Sequence, residues 1–199
     1  MNHEEALKLY FEDMGRAIEA YQSNRLMNLI QKSDNLNLLK YTYLHRREVY
    51  RLGNELRVKE SLLDSLWMHD IDKMIIYLFR DKKDTQQIHR VLNRHHNRNE
   101  TDKEILVEML LDWESETFTK PDKPLNAYDT MKKYYPDMES KMLPIMEELG
   151  LNHSTDMSES ITMEEFMERA NRIDVTAIHK ELAGILRYYL GASKKTFEW

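Results

Sequence analysis

Residues 65–79, SLWMHDIDKMIIYLF, set a histidine and an aspartate side by side between two apolar flanks. Beyond the pair, Met74, Ile75, Ile76, Leu78 and Phe79 recur at helical spacing, which predicts a helix over 70–80. Working outward, apolar residues three and four apart recur in nearly every segment, and sustained alternation rich in Val, Ile and Thr is missing. All four prolines (Pro121, Pro124, Pro136, Pro144) lie beyond residue 120, and only Gly15 and Gly53 interrupt the chain before it. The chain is therefore expected to be all-α. The spacing predicts helices over 3–22, 24–33, 36–58, 60–68, 70–80, 84–97, 102–118, 126–135, 137–149, 162–172 and 174–191. Thr101 with Glu104, and Thr162 with Glu165, carry the reciprocal capping pattern. Residues 119–125 and 151–161 read as loops. One domain over 1–199 is expected.

Composition narrows the function classes. A chain of 199 residues, 41% hydrophobic and 32% charged, buries about 70% of its unfolded surface on folding and needs neither disulfides nor a structural metal. With no cysteine, thiolate zinc sites, iron–sulfur clusters and cysteine nucleophiles are excluded, so only His, Asp and Glu remain as metal ligands. The net charge of −6 and the lack of a basic stripe argue against duplex nucleic acid as a partner. The N-terminal residues 1–21 mix acids among apolar residues, unlike an export signal. The longest apolar run, Met74–Phe79, is far short of the roughly 20 residues of a membrane span. These features predict a soluble, cytoplasmic protein without a membrane partner, and leave a homo-oligomer open. The 13 methionines read as adaptable core filling.

Histidine is unevenly distributed: of eight, His45, His69, His89, His95 and His96 fall in the stretch 45–96. His45 shares a helical face with Leu38, Val49, Leu52 and Leu56 and is expected to be buried. Asp112 lies one turn from Met109 and two from Ile105, and a buried carboxylate must be paired, hydrogen-bonded or metal-bound. His89 and His96, seven apart, would share a face on one continuous helix, while His95 falls with Ile88, Val91 and Leu92. Arg46, Lys73, Arg90, Arg94 and Arg98 make a local positive zone suited to a small anionic molecule such as a nucleotide or phosphoester. Lys120 and Lys123 stand on a proline-stiffened loop that could cap a substrate pocket. Tyr128, Tyr134, Tyr135, Tyr188 and Tyr189 read as packing residues, and His153 and His179 as structural or exposed. The terminal Phe197-Glu198-Trp199 reads as a frayed tail, with docking or dimerisation as the other reading.

Taken in order, His45, His69-Asp70, His89 or His95-His96, and Asp112 resemble the signature of the HD-domain superfamily of metal-dependent phosphohydrolases. His45–Val49 is similar to that family's H-x-x-x-V, and HDIDK at 69–73 to its HDIGK, with Asp72 in place of the usual glycine. IHRVLNRHH at 88–96 followed by EMLLDWE at 108–114 resembles an uncharacterised branch with paired His and an Asp-Trp. The resemblance covers about residues 40–118 and implies an HD-like helical bundle with its core at about 36–118 and a C-terminal helical extension over 119–199. It further implies His45, His69, Asp70 and Asp112 as metal ligands, joined in two-metal branches by His89 and by His96, preferred slightly over His95. One or two divalent transition ions (Mn²⁺, Fe²⁺, Co²⁺ or Zn²⁺) are the expected cofactor. Asp70 and Lys73 are the expected catalytic residues, with Lys73, Arg46 and Arg94 on the phosphorylated substrate. The function so implied is hydrolysis of a nucleotide or other small phosphoester by metal-activated water. Two alternatives stand beside it: an oxygenase with two irons, similar to myo-inositol oxygenase, and a non-catalytic helical scaffold for binding or signalling.

Overall fold

The computed structural model describes residues 1–191, so the Phe197–Trp199 tail lies outside the described residues. The described chain is all-α, as expected, in the order α1 (His3–Gln22), α2 (Leu26–Gln31), α3 (Leu36–Glu55), α4 (Glu60–Met68), α5 (Ile71–Ile76), α6 (Lys82–Leu92), α7 (Lys103–Thr119), α8 (Ala127–Tyr134), α9 (Glu139–Leu149), α10 (Met163–Arg172) and α11 (Val175–Tyr189). Single 3₁₀ turns at Arg94–His96 and Pro136–Met138 complete it. Among the described residues no helix is long and apolar enough to cross a membrane.

Among the described residues two units can be distinguished, one built from residues 1–43, 70–92 and 170–191, the other from 44–69 and 93–169. In the first, α1 is started by Asn2 and Glu5, whose side chains each accept from the other's backbone N–H at 2.9 Å. The α1 face carrying Ala6, Ala17 and Ala20 is buried; such small residues let a neighbouring helix approach closely. Ala6 packs with Ile76 of α5 and Ile88 of α6, with Leu9, Tyr10, Val91 and Leu92 around them. Asp13, fully buried, is held by Arg80 just past α5.

The second unit centres on α7. Its weak amphipathicity has a structural reason: Leu106, Val107, Met109, Leu110, Leu111 and Trp113 are all buried, so no face is left to be wholly polar. They pack with Val49 and Leu52 of α3, Leu62 and Leu66 of α4, Met131 of α8 and Met142, Ile145 and Met146 of α9, and Trp113 stacks on Tyr135 at 4.6 Å between ring centres. Methionine fills much of this core, as expected. Gly53 on α3 is required by a close approach: a Cβ there would collide with the buried Leu66 side chain and stand 3.2 Å from Leu63 Cδ2. Gly53→Ala should therefore destabilise the protein by about 1–3 kcal/mol, against the gain an alanine gives at an open helical site. A urea titration that found the variant more stable would refute this contact.

Helix boundaries differ from expectation at three informative places. The helix expected over 84–97 ends at Leu92, Asn93 is extended, and His95 and His96 lie in a separate 3₁₀ turn. The premise that His89 and His96 share one helical face is thereby lost. The helix expected over 70–80 begins only at Ile71 and ends at Ile76, with Asp70 in the left-handed region at φ 55°. The α7 cap is Asp102, accepting from Glu104 N–H at 3.0 Å, in place of Thr101. Thr162 and Glu165 do cap α10 reciprocally.

Ahead of that cap, Glu100 accepts from the N–H groups of Thr101 (2.9 Å) and Asp102 (3.0 Å), and Arg94 grips both of its oxygens at 2.9 Å. Arg94 and these amides draw the Glu100 carboxyl down from the usual 4.5 to about 2. A depressed acid stabilises the fold above its unfolded value and loses that contribution as pH falls toward its folded value. Glu100→Gln should thus be less stable than the parent at pH 7, the gap narrowing between about pH 4.5 and pH 2. Chemical denaturation at several pH values checks this, and a gap that stayed constant would contradict it.

Candidate metal centre

The α4 helix stops at Met68 because His69 turns extended (φ −53°, ψ 131°) and Asp70 turns left-handed, so the two adjacent side chains leave the backbone in different directions. Arg46 stabilises this break. It is fully buried, and its two terminal nitrogens donate to the carbonyls of Trp67 (3.1 Å) and His69. Those carbonyls close a helix end and have few intrahelical partners. Arg46, expected on the substrate, is thus placed with its guanidinium against these two main-chain carbonyls.

In the second unit, His45 from α3, His69 from the break and Asp112 from α7 converge. His45 Nε2 lies 3.3 Å from His69 Nε2 and 2.9 Å from Asp112 Oδ1, and His69 Nε2 lies 3.5 Å from that same oxygen. Outer partners fix which nitrogens carry protons. Ser115 Oγ donates to the Asp112 carbonyl at 2.7 Å, so it accepts from His45 Nδ1–H at 3.0 Å. His69 Nδ1–H donates to Glu108 Oε1 at 3.0 Å. Both Nε2 lone pairs therefore face the Asp112 carboxylate, and three electron-rich atoms meet with no donor among them while the imidazoles are neutral. Such a triangle calls for a cation, either protons or one metal ion. Its edges suit a metal: ligands at about 2.1 Å subtending 90–109° are about 3.0–3.4 Å apart.

Glu108 also accepts from His95 Nδ1–H at 3.1 Å, so one carboxylate orients two buried imidazoles. Burial would raise the Glu108 carboxyl, but its hydrogen bonds to His69 and His95 outweigh this and hold it at about 2. Asp112 is likewise kept well below the carboxylate range, burial being overcome when His45 and His69 carry a proton on Nε2 and donate to it. Both acids are anionic at neutral pH.

The first unit holds its own cluster. His89 Nδ1, on α6, lies 2.8 Å from Asp72 Oδ2 and 3.1 Å from Oδ1, and its Nε2 stands 3.2 Å from Asp70 Oδ1. Asp70 Oδ2 accepts from Lys73 Nζ at 2.8 Å. Burial pushes the His89 imidazole down despite Asp72, and Asp72 is lowered because His89 outweighs its own burial. His45, His69 and Asp112, His69, His95 and Glu108, and Asp70, Asp72 and His89 are thus three buried or half-buried groups able to hold a metal ion.

No family model, curated protein or solved structure matches this chain. The reading of the centre rests on its own geometry.

The structure thus brings His45, His69 and Asp112 together in one unit and Asp70, Lys73 and His89 in the other. His96, half-buried, stacks beside His95 at 4.3 Å between ring centres. Arg94 is clasped by Glu100, and Arg98 by Asp137 and the Tyr134 carbonyl, so the expected positive zone is largely a set of ion pairs. Lys120 pairs with Glu116, and Lys123 lies 3.8 Å over the Tyr134 ring. His153 is exposed and His179 half-buried. Sequence reasoning missed Glu108, Ser115 and the part played by Asp72. A signal for the first two exists: Glu108, Asp112, Ser115 and Thr119 recur at intervals of four, three and four along α7 and so share one helical stripe.

Proposed function

We propose that this protein is a metal-dependent phosphohydrolase acting on a nucleotide or another small phosphoester. The observation that supports it most is the His45–His69–Asp112 triangle, whose imidazoles are held by Ser115 and Glu108 with their Nε2 lone pairs turned inward. Mixed imidazole and carboxylate donors suit Mn²⁺, Fe²⁺, Co²⁺ or Zn²⁺. His45, His69 and Asp112 would hold one ion; Asp70 and His89 would serve a second, and the order of all five along the chain is that of the HD superfamily. When bound, such an ion supplies a water acidic enough to ionise near neutral pH and polarises a phosphoryl oxygen.

The chain's own groups do the rest. Glu108 and Ser115 keep protons on the outer nitrogens of His69 and His45, leaving the inner ones as donors. Asp70 is 1% exposed and anchors the Lys73 ammonium, itself about one-fifth exposed, so a fixed positive charge stands where a phosphoryl group can meet it. Lys73→Ala should lower turnover by about 10²–10³-fold while changing metal content little; equal losses of both would make Lys73 a structural residue.

The deciding experiment measures metal content of the protein purified without added metal, then orthophosphate release from a panel of nucleotides and phosphomonoesters with Mn²⁺, Fe²⁺ or Co²⁺ restored. One or two equivalents of metal with phosphate release are expected. Bound iron with O₂ consumption and no phosphate release would overturn the reading in favour of an oxygenase, and no metal after reconstitution would overturn it in favour of a scaffold.

A further inference from the structure

Asp72 stands where the HDIGK pattern has glycine, and nothing in that pattern gives its carboxylate a task. In the structure it is nearly buried, on the first turn of α5, and it faces His89. A neutral imidazole has one N–H to give, and two carboxylates compete for that of His89. Asp72 lies 2.8 and 3.1 Å from Nδ1; Asp70 Oδ1 lies 3.2 Å from Nε2. The competition is unequal on two counts. The Asp72 contact is shorter and engages both oxygens, and Asp70 already accepts the Lys73 ammonium at 2.8 Å, which weakens it as an acceptor. An imidazole without such guidance prefers its proton on Nε2, where it would donate to Asp70 and block the one nitrogen that faces that carboxylate.

We infer that Asp72 is a positioning residue that holds the His89 proton on Nδ1, so that His89 Nε2 and Asp70 Oδ1 form a ready pair of donors for a second divalent cation. This rests on the reading of Asp70 and His89 as ligands and adds to it the residue that sets the ligand's protonation. The same device operates twice more in the chain, since Glu108 takes Nδ1–H from His69 and from His95. Outer partners of this kind are worth about 10–100-fold in metal affinity.

The test begins on metal-free protein, where long-range proton–nitrogen correlation of the histidine rings reports each tautomer, His89 being assigned by its loss in His89→Gln. The parent should show His89 as Nδ1–H, and Asp72→Gly should move the proton to Nε2. Calorimetric titration with Mn²⁺ should then show the weaker of two binding steps falling about 10–100-fold in Asp72→Gly, with the stronger step unchanged. Asp72→Asn keeps the shape and an acceptor without the charge, and should fall between; it carries the test alone if the glycine variant loses its helical circular dichroism. A parent tautomer already on Nε2, or a tautomer unmoved in both variants, overturns the inference. A parent that binds no Mn²⁺ overturns the phosphohydrolase reading and, with it, the use assigned to the His89–Asp70 pair, whereas the proton's position is decided independently of that outcome.

Discussion

Asp112→Ala should abolish metal binding at the His45–His69 cluster and, with it, at least about 10²-fold of any hydrolytic activity, the upper range that even an outer partner of a metal site commands. The carboxylate supplies the only negative charge among the three donors, at 2.9 Å from His45 and 3.5 Å from His69. Without it the two Nε2 atoms face each other at 3.3 Å and can be satisfied by a single proton, one imidazole donating to the other. The fold should survive, because α7 is anchored by Leu106, Leu110 and Trp113. Elemental analysis alongside circular dichroism separates these outcomes. Retained metal in a fully helical variant would show that the triangle is not the site.

Arg46→Met should have the largest effect on stability of any substitution considered, about 2–6 kcal/mol, the consequence of leaving two buried carbonyls without their donors. Methionine fills part of the volume but donates nothing, so the carbonyls of Trp67 and His69 lose their donors inside the protein. A urea midpoint close to the parent's would mean that these carbonyls find other partners. The neighbouring ligand should suffer as well. Because His69 follows directly on the loosened helix end, metal affinity should decline even where the variant stays folded.

Much of the fold was legible because apolar spacing of three and four repeats along the chain and because caps such as Thr162–Glu165 sit at helix starts. The exceptions share a cause. The breaks at His69-Asp70 and at Asn93 contain neither glycine nor proline, and the chain there yields to tertiary contacts: Arg46 on the carbonyls at the first, Glu100 clasping Arg94 just after the second. In the site, His45, His95 and Asp112 stood out because each lies on an apolar face, where a polar group needs a reason, and His69 because it adjoins Asp70. Arg46 could not be told from Arg47 by pattern, since both directly follow His45 and either cation suits an anionic ligand as well as a buried carbonyl. Glu108 was hidden for the opposite reason, one acid among many on helices where glutamate is ordinary. Its task is visible only once His69 and His95, which lie far away in sequence, are seen to share it.

The left-handed backbone of Asp70 sets two selective pressures against each other. At φ 55° a residue with a Cβ costs of order 1 kcal/mol relative to glycine, so Asp70→Gly would ease the backbone by that much. The same change would take away the buried carboxylate that anchors Lys73 at 2.8 Å and faces His89. Engineering this protein for robustness therefore has to hold position 70 constant and look for its gains elsewhere.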